Sequence, residues 1–436
     1  MNSELKKNII DHYRKSLASK KKFIPGKVHI PASGKSFDHK ELLAMTEAVL
    51  DGWWTEGRFA AEFENKLAEL IGVKHCLMTN SGSSANLLAI SALTSANLDE
   101  RRLKPGDEVI TLAAAFPTTV NPLILHQLIP VFIDIELGTN NIDVKQLAQL
   151  ISKKTKAIFL PHHLGNPFNV DAVKKICRQH NLWLVEDCCD ALGGKYRGKM
   201  VGSFGDLATF SFYAAHHITT GEGGAVVTND PKLARITRSL RDWGREYWFK
   251  TGEDKRQDTG LGTSNKHTEL PADYDDKFIF SEVGYNLKTT DIQAALGLAQ
   301  LDKLDKFAKI RAANFEKLYK FLSAYDKFLL LPRIEKFSLP SWFGFMITLK
   351  FDCPFSRREM LDYLHQHNIG TRMLFTGNII KQPYFRIYQI KFRQGDLTNT
   401  DYVLNNSFWV GVYQGIDKIK LDYMIGVLGS FLNQYK

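Results

Sequence analysis

Two adjacent histidines, His216 and His217, lie where an apolar strand runs into a glycine-rich turn. The apolar run covers 207–212, and three glycines between 221 and 224 precede a β-branched segment. Glycines permit positive φ angles and a close approach of the backbone to a ligand. Histidine is the side chain best suited to move protons near neutral pH. The stretch therefore predicts either a proton-transfer site on a bound molecule or a structural turn held by histidine hydrogen bonds.

A carboxylate and a candidate anion site occur at the ends of other predicted strands. Asp187 follows the apolar run 183–186, at the end of a strand where an α/β sheet displays functional groups. Between a predicted strand and a predicted helix lies the segment 79–86, which reads Thr-Asn-Ser-Gly-Ser-Ser-Ala-Asn. Backbone N–H groups at a helix N-terminus bind phosphate, although serines that only cap a helix are also common there. A phosphorylated ligand beside a carboxylate is one interpretation of this pattern.

The histidine turn resembles the motif of the sugar-nucleotide branch of the fold-type-I pyridoxal-phosphate (PLP) enzymes. That motif reads S-F-Y-x-x-K before a glycine-rich turn, and its lysine binds PLP covalently. Here Ser211, Phe212 and Tyr213 are retained, and His216 occupies the lysine position. A histidine there is typical of the 3-dehydratases that make 3-deoxy sugars. From about residue 31 to the C-terminus the chain resembles the CDP-4-keto-6-deoxyglucose 3-dehydratases of that family.

The resemblance implies a role for each of the other motif residues. It implies contacts to the cofactor phosphate from Gly82, Ser83, Ser84 and Ser211. Phe116 matches an aromatic residue that stacks on the pyridine ring, and Asp187 matches the carboxylate against the ring nitrogen, which keeps the ring an electron sink. Asp190 stands where the aminotransferases commonly have glutamine and is similar to the 3-dehydratases in this respect. Asn286 matches an asparagine that reaches the phosphate of the neighbouring subunit, which implies a homodimer.

The replacement of the lysine by His216 has a chemical consequence within this resemblance. It implies that pyridoxamine phosphate (PMP) is held without a covalent bond and that its amine joins a nucleoside-diphospho-4-keto-6-deoxy sugar. His216 would then remove a proton from C4′ of the cofactor, and the C3 hydroxyl would depart. The product class is a 3,6-dideoxy sugar, as used in lipopolysaccharide O-antigen.

The chain departs from the CDP-sugar enzymes in one loop. Those enzymes bind a [2Fe-2S] cluster through cysteines that follow the motif Arg-Asp-Trp-Gly-Arg, which is intact here at 241–245. The loop that follows contains no cysteine, and the five in the chain are Cys76, Cys177, Cys188, Cys189 and Cys353. A cluster requires about four thiolates, or histidines in place of two of them. We therefore expect no iron–sulfur cluster and no metal, and we expect glutamate rather than a reductase to restore PMP.

Two other functions remain open from the sequence. An aminotransferase that has lost its lysine would release an amino sugar. A non-catalytic sugar-nucleotide binding protein would have no need to keep Asp187 as part of an electron sink.

Composition limits the remaining classes. The chain has 436 residues, of which 44% are hydrophobic and 24% charged, as in a soluble globular protein. Its net charge of +10 suits anionic ligands, but no nucleic-acid-binding module is recognisable. No apolar run approaches the roughly 18 residues of a membrane span, and residues 1–7 lack the apolar core of a signal peptide. We expect a cytoplasmic protein that binds neither nucleic acid nor membrane.

Short apolar runs alternate with helical segments along most of the chain, which predicts an α/β fold. The resemblance implies the fold-type-I architecture, with a large, mixed and mostly parallel sheet and a smaller C-terminal α/β domain. We expect an N-terminal arm over 1–35, a large cofactor-binding domain over 36–300 and a small domain over 301–436. The predicted strands of the large domain are 75–79, 108–112, 131–135, 157–160, 183–186, 207–212 and 225–228. A polar, weakly periodic segment predicts a long loop over 245–276.

Overall fold

The computed structural model describes residues 1–18, 22–249, 256–257, 269–271 and 274–436. These residues form the helices α1 Ser3–Ala18, α2 His39–Leu50, α3 Arg58–Ile71, α4 Gly82–Thr94, α5 Pro117–Leu125, α6 Val144–Leu150, α7 Val170–His180, α8 Pro231–Arg241, α9 Asp291–Leu301, α10 Leu304–Leu322, α11 Arg357–Gln366, α12 Pro383–Ile387, α13 Thr398–Asn406 and α14 Lys418–Leu432. The strands are β1 His75–Thr79, β2 Glu108–Leu112, β3 Ile129–Ile133, β4 Thr155–Pro161, β5 Trp183–Asp187, β6 Lys195–Tyr196, β7 Lys199–Met200, β8 Leu207–Ser211, β9 Gly224–Thr228, β10 Trp248–Phe249, β11 Arg256–Gln257, β12 Leu329–Leu330, β13 Ser338–Leu339, β14 Gly344–Leu349, β15 Thr371–Arg372, β16 Arg393–Gln394 and β17 Ser407–Gly411.

Eight strands form the large sheet, in the order β1-β9-β8-β5-β4-β2-β3-β16. Neighbouring strands from β8 to β16 are parallel, whereas β9 is antiparallel to both β8 and β1. Every residue of β2, β5, β8 and β9 is buried, as expected for strands covered on both faces. One covering layer contains α4 and α8, and the other contains α3 and α9. The predicted α/β fold with a large, mixed, mostly parallel sheet is confirmed.

A second, antiparallel sheet has the order β12-β14-β17-β15. Apolar residues of α10, α11 and α14 pack with this sheet in one core. Two segments link the parts: β16 pairs with β3 of the large sheet, and Ile30 bridges Ile369 beside the small one. The domain boundaries at 35/36 and 300/301 stay predictions. The two pairings are the observed connections between the predicted arm, large domain and small domain.

Most predicted strands coincide with observed ones within one or two residues. The prediction for β3 was wrong by two residues at each end, since the strand begins before Pro130, at Ile129, and ends at Ile133. The neighbouring β16 pairs only with Val131 and Phe132, so Pro130 lies beyond that pairing and its missing N–H breaks no bond to β16. Within the predicted loop 245–276, β10 pairs with β11; most of the remaining positions lie outside the described residues.

None of the described helices combines the length and the apolar composition needed to cross a membrane.

Candidate active site

A cavity of about 730 Å³ opens at the carboxyl ends of the parallel strands. Ligands of open α/β sheets bind at this edge, where loops after successive strands converge. The residues predicted to bind the cofactor that line it are Gly82, Ser83, Phe116, Asp187, Asp190 and Ser211. His216 lines it as well. The fold therefore brings together residues that lie far apart in the sequence: Gly82 and His216 are separated by 134 positions.

Asp187 ends β5 at the floor of this cavity and is almost fully buried. One carboxylate oxygen accepts hydrogen bonds from Asn86 Nδ2 at 2.9 Å and from Thr119 Oγ1 at 2.8 Å. The other oxygen accepts from the backbone N–H of Cys189 at 3.1 Å. These three donors fix the orientation of the carboxylate. Asn86 is itself held by Thr209 Oγ1 at 2.5 Å, so the arrangement extends to the neighbouring strand β8.

The start of α4 forms an anion cradle on one side of the cavity. Ser81 caps the helix, and its hydroxyl accepts from the Ser84 N–H at 3.0 Å. The first N–H groups of a helix have no intrahelical acceptor, so those of Gly82 and Ser83 are free to bind a phosphate. A side chain at Gly82 would lie 2.8 Å from Ser211 Oγ, so only glycine allows this close approach.

Ser84 was also predicted to contact the phosphate, but its surroundings differ from those of Gly82, Ser83 and Ser211. Its hydroxyl lies 3.0 Å from the Ser81 hydroxyl, and Ser84 is not among the residues that line the cavity. Ser83, by contrast, lines the cavity and donates to Thr118 Oγ1 at 3.2 Å. A phosphate contact from Ser84 remains a prediction.

Phe116 follows β2 and precedes α5, and its side chain is 51% exposed at the cavity. Its ring meets Phe375 edge-on, with 6.1 Å between the ring centroids. Aromatic rings make up much of a ligand's apolar contact area in such cavities. The exposed ring surface of Phe116 is therefore available to stack on a planar ligand.

His216 and Asp190 form a pair at the opposite wall. His216 Nε2 lies 3.5 Å from Asp190 Oδ1, and both side chains are largely buried. Burial lowers the pKa of His216 to about 4. Burial, together with the charge of Asp187, raises the pKa of Asp190 to about 8. At neutral pH the imidazole is therefore neutral while the carboxyl keeps its proton.

His217 points away from the cavity. Its Nε2 lies 2.8 Å from the Ser341 carbonyl oxygen, and the side chain is buried. Burial lowers its pKa well below the usual range. His217 does not line the cavity, so the geometry favours His216 as the histidine that meets a ligand.

The pattern of donors fits a phosphorylated pyridine cofactor. The anion cradle, the exposed ring of Phe116 and the Asp187 carboxylate all line the same cavity. Two buried polar atoms in the cavity wall, His216 Nδ1 and Asp190 Oδ2, have no hydrogen-bond partner among the described residues. Buried polar atoms of this kind are rare unless a ligand or water satisfies them.

Several residues of the site were not identified from the sequence. Asn86 and Thr119 orient Asp187, and Lys35 and Arg372 line the cavity. For Asn86 the usable signal was its place in the segment 79–86, which predicted an anion site. For Lys35 and Arg372 the sequence offered no signal, since exposed cations are common on any surface.

Asn286 lies outside the cavity of its own chain. The residue is exposed and its backbone bridges Asp242. It does not line the cavity, so a contact to the phosphate would have to come from a neighbouring subunit.

Residues 35–428 match the DegT/DnrJ/EryC1/StrS aminotransferase family. The chain is 51% identical to the lipopolysaccharide biosynthesis protein RfbH of Salmonella typhimurium, over 97% of this chain and 96% of that protein. It is 48% identical to the dTDP-4-dehydro-2,6-dideoxy-D-glucose 3-dehydratase of Saccharopolyspora spinosa, over 94% of this chain and 88% of that enzyme. Among solved structures it is similar to a GDP-4-keto-6-deoxymannose-3-dehydratase with a trapped PLP-glutamate geminal diamine. That similarity has a TM-score of 0.82 at 30% identity and covers 91% of this chain and 99% of that one.

Proposed function

Because the chain belongs to the DegT/DnrJ/EryC1/StrS aminotransferase family, we propose that it removes the C3 hydroxyl of a nucleoside-diphospho-4-keto-6-deoxy sugar with PMP as cofactor. The observation that carries this proposal is His216, a neutral histidine in the cavity at the position of the family's lysine. Without an amine at that position the chain cannot hold PLP covalently. The similar 3-dehydratases support the same reaction class.

The cofactor, when bound, supplies an amine for the 4-keto group and a ring that takes up electrons. Gly82, Ser83 and Ser211 would hold its phosphate, Phe116 its ring face and Asp187 its ring nitrogen. The fixed carboxylate of Asp187 keeps a proton on that nitrogen. Asp190, protonated at neutral pH, is a hydrogen-bond donor beside His216.

His216 acts as the base. Its neutral imidazole accepts a proton at Nε2 or Nδ1, and the protonated ring then has a proton to give to the departing hydroxyl at C3. His216 lies in a largely buried wall, and this burial limits the access of water to the reacting atoms.

The cations at the cavity mouth suit the diphosphate of the substrate. Lys35 and Arg372 are exposed and line the cavity, whereas the acids that line it are Asp187 and Asp190. The two chain segments that supply the cations are joined five residues before Lys35, where Ile30 exchanges hydrogen bonds of 2.8 Å with Asn368 and Gly370. The positive charge of the two cations favours a diphosphate over the neutral groups of the substrate at this part of the cavity wall.

We also propose that the enzyme contains no iron–sulfur cluster. No cysteine occurs between Cys189 and Cys353. Burial raises the pKa of the Cys188 and Cys189 thiols well above their usual range, which disfavours thiolate ligands there. Electrons for removal of the oxygen then come from glutamate, which restores PMP and becomes 2-oxoglutarate. In balance, sugar and glutamate give deoxy sugar, 2-oxoglutarate and ammonia.

A homodimer completes the proposed site through Asn286 of each neighbour. The paired segments 242–246 and 279–286 around Asn286 expose large apolar side chains, namely Trp243, Phe280 and Val283. Apolar patches of this kind on a monomer often mark interfaces. In the cell we place the enzyme in the cytoplasm, in the biosynthesis of a 3,6-dideoxy sugar for lipopolysaccharide.

The test is product analysis with a panel of CDP-, GDP- and dTDP-4-keto-6-deoxy sugars and PMP-loaded protein. We expect mass spectrometry to find a product that has lost one oxygen atom with one of these nucleotides. An amino sugar as the main product would instead show an aminotransferase. Binding with no product from any of the sugars would show a binding protein.

A further inference from the structure

Arg311 of α10 lies beneath the turn that carries His216. Its side chain is fully buried. Nη1 donates to the carbonyl oxygens of Trp342 at 3.3 Å and Phe343 at 3.2 Å, and Nη2 donates to the carbonyl oxygen of His216 at 3.2 Å. The guanidinium thus joins the His216 turn to the segment that enters β14 of the small sheet.

The surroundings of this cation are unusual within the chain. Arg241, which is also fully buried, contacts Glu56 at 2.5 Å and Glu64 at 2.8 Å. For Arg311, no carboxylate of the described residues lies within ion-pair distance. A buried charge without a counterion is costly, and a leucine or methionine would fill the same space without that cost. Burial lowers the pKa of Arg311 only to about 10, so it remains charged at neutral pH.

We propose that Arg311 is a positioning residue for the base: it fixes the backbone of the His216 turn and places a buried positive charge beneath the imidazole that opposes its protonation. This inference rests on the proposed role of His216. It assigns a function to a residue that touches neither the cavity nor a ligand.

The groups around His216 have opposite effects on its pKa. Burial lowers the pKa of His216, and the charges of Asp187 and Arg311 raise and lower it, respectively. Asp190, at 3.5 Å, keeps its own proton at neutral pH and so contributes little negative charge there. His217 and Tyr213 complete the surroundings; His217 is neutral because burial lowers its pKa, and the Tyr213 ring lies 6.3 Å from the imidazole. Arg311 is therefore the nearby cation that offsets the attraction of Asp187 for a proton on His216.

This arrangement suits a base that must also release its proton. A neutral imidazole is ready to accept, and once protonated it is repelled by the fixed charge of Arg311. The proton then passes more readily to the departing hydroxyl. General acid–base catalysis requires both steps from one group in the proposed reaction.

The test measures the protonation of His216 without turnover. Diethyl pyrocarbonate reacts with neutral imidazole, so the pH dependence of modification at His216, distinguished from the adjacent His217 by fragmentation of the peptide, gives its apparent pKa in cofactor-free protein. We expect a midpoint well below 6.5 in the wild type, in line with the lowered pKa of His216. Arg311→Met should move the midpoint up, towards the ordinary value, and should move the acid limb of kcat/KM in the same direction.

Two variants separate charge from structure. Arg311→Lys keeps the charge but lacks the planar guanidinium whose two Nη atoms reach the three carbonyl groups, so we expect an unchanged midpoint and a kcat lowered by about tenfold. Arg357→Met is the matched control, because Arg357 also donates to carbonyl oxygens, those of Leu404 at 2.5 Å and Ser407 at 3.1 Å, and does not line the cavity. It should move neither the midpoint nor the acid limb.

Two outcomes would overturn the inference. The first is a wild-type midpoint near 6.5, which needs no variant and holds even if every Arg311 variant fails to fold. The second is an Arg311→Met midpoint equal to that of the wild type. Failure of the proposed function would be recognised separately, as a His216→Asn variant with unchanged turnover, whatever the modification midpoints.

Discussion

A substitution of His216 can distinguish the binding of the cofactor from the chemical step. Asparagine has nearly the size of histidine but is not a base, so His216→Asn should keep the cavity and its phosphate cradle intact. We expect PMP affinity within about threefold of the wild type and a rate of oxygen loss lowered by at least about a hundredfold. Cofactor titration and single-turnover product analysis measure the two effects. Turnover at the wild-type rate would exclude His216 as the base.

Asp190 couples the site to stability through its raised pKa. The folded carboxyl keeps its proton up to about pH 8, whereas an ordinary aspartate releases it near 3.8, so the free energy of unfolding falls as pH rises through this range. His216, with its pKa lowered from 6.5 to about 4, acts in the opposite sense between those values. The two effects oppose each other up to pH 6.5, and only that of Asp190 acts from there to pH 8.

We therefore predict that the Tm of the cofactor-free protein declines between pH 6.5 and 8, and that Asp190→Asn reduces this decline. The effect in the free energy of unfolding is at most about 1.4 kcal/mol per pH unit. Scanning calorimetry across this range measures it. Asp362→Asn is the control, because this aspartate is 60% exposed, and it should leave the slope as it is. Equal slopes in wild type and Asp190→Asn would contradict the assignment.

At the scale of elements, the start of α4 tests the anion cradle. Gly82→Ala places a methyl group 2.8 Å from Ser211 Oγ and 3.1 Å from the Ser211 Cα. The two segments must then separate, and we expect the dissociation constant for PLP to rise by roughly tenfold, which is about 1.4 kcal/mol. Fluorescence titration measures it. Gly426→Ala in α14 has no atom within 4 Å of the added carbon and should leave PLP affinity unchanged; equal affinities in all three proteins would rule out the cradle.

The elements differ in how far the sequence predicts them. The predictions for β1 and β2 match the observed bounds, because each is a short apolar run closed by turn residues. The two-residue strands β6, β7, β13 and β16 were not predicted, since two residues carry no periodic signal. Their pairing depends on distant segments, as when β16 reaches β3.

The same distinction applies to the site. Gly82, Phe116, Asp187 and His216 were predicted through their match to the family's motifs, and each lies at the end of a strand or within five residues after it. The role of Arg311 could not be predicted, since a lone arginine in the amphipathic helix α10 has the same local sequence pattern whether it is exposed or buried. Only the packing of α10 against the His216 turn shows where its charge lies.

At the scale of the whole molecule, the proposed homodimer determines whether Asn286 takes part in cofactor binding. If each site uses Asn286 of the neighbouring subunit, Asn286→Ala and His216→Asn should complement each other when mixed. Half of randomly exchanged dimers are then mixed and have one intact site, so we expect about a quarter of the wild-type activity. Activity after subunit exchange of the two separately inactive variants measures this. No recovery, with exchange verified by mass, would place Asn286 in its own chain's site or outside any site.

The proposed enzyme removes the C3 oxygen of its substrate with electrons from glutamate alone. The most direct measurement is the stoichiometry of the complete reaction, with purified protein, PMP, glutamate and the substrate sugar, and with no reductase present. We predict equal amounts of deoxy sugar, ammonia and 2-oxoglutarate, and negligible iron in protein prepared without oxygen. Product formation that depends strictly on an added flavin reductase, or deoxy sugar formed without ammonia, would contradict the account.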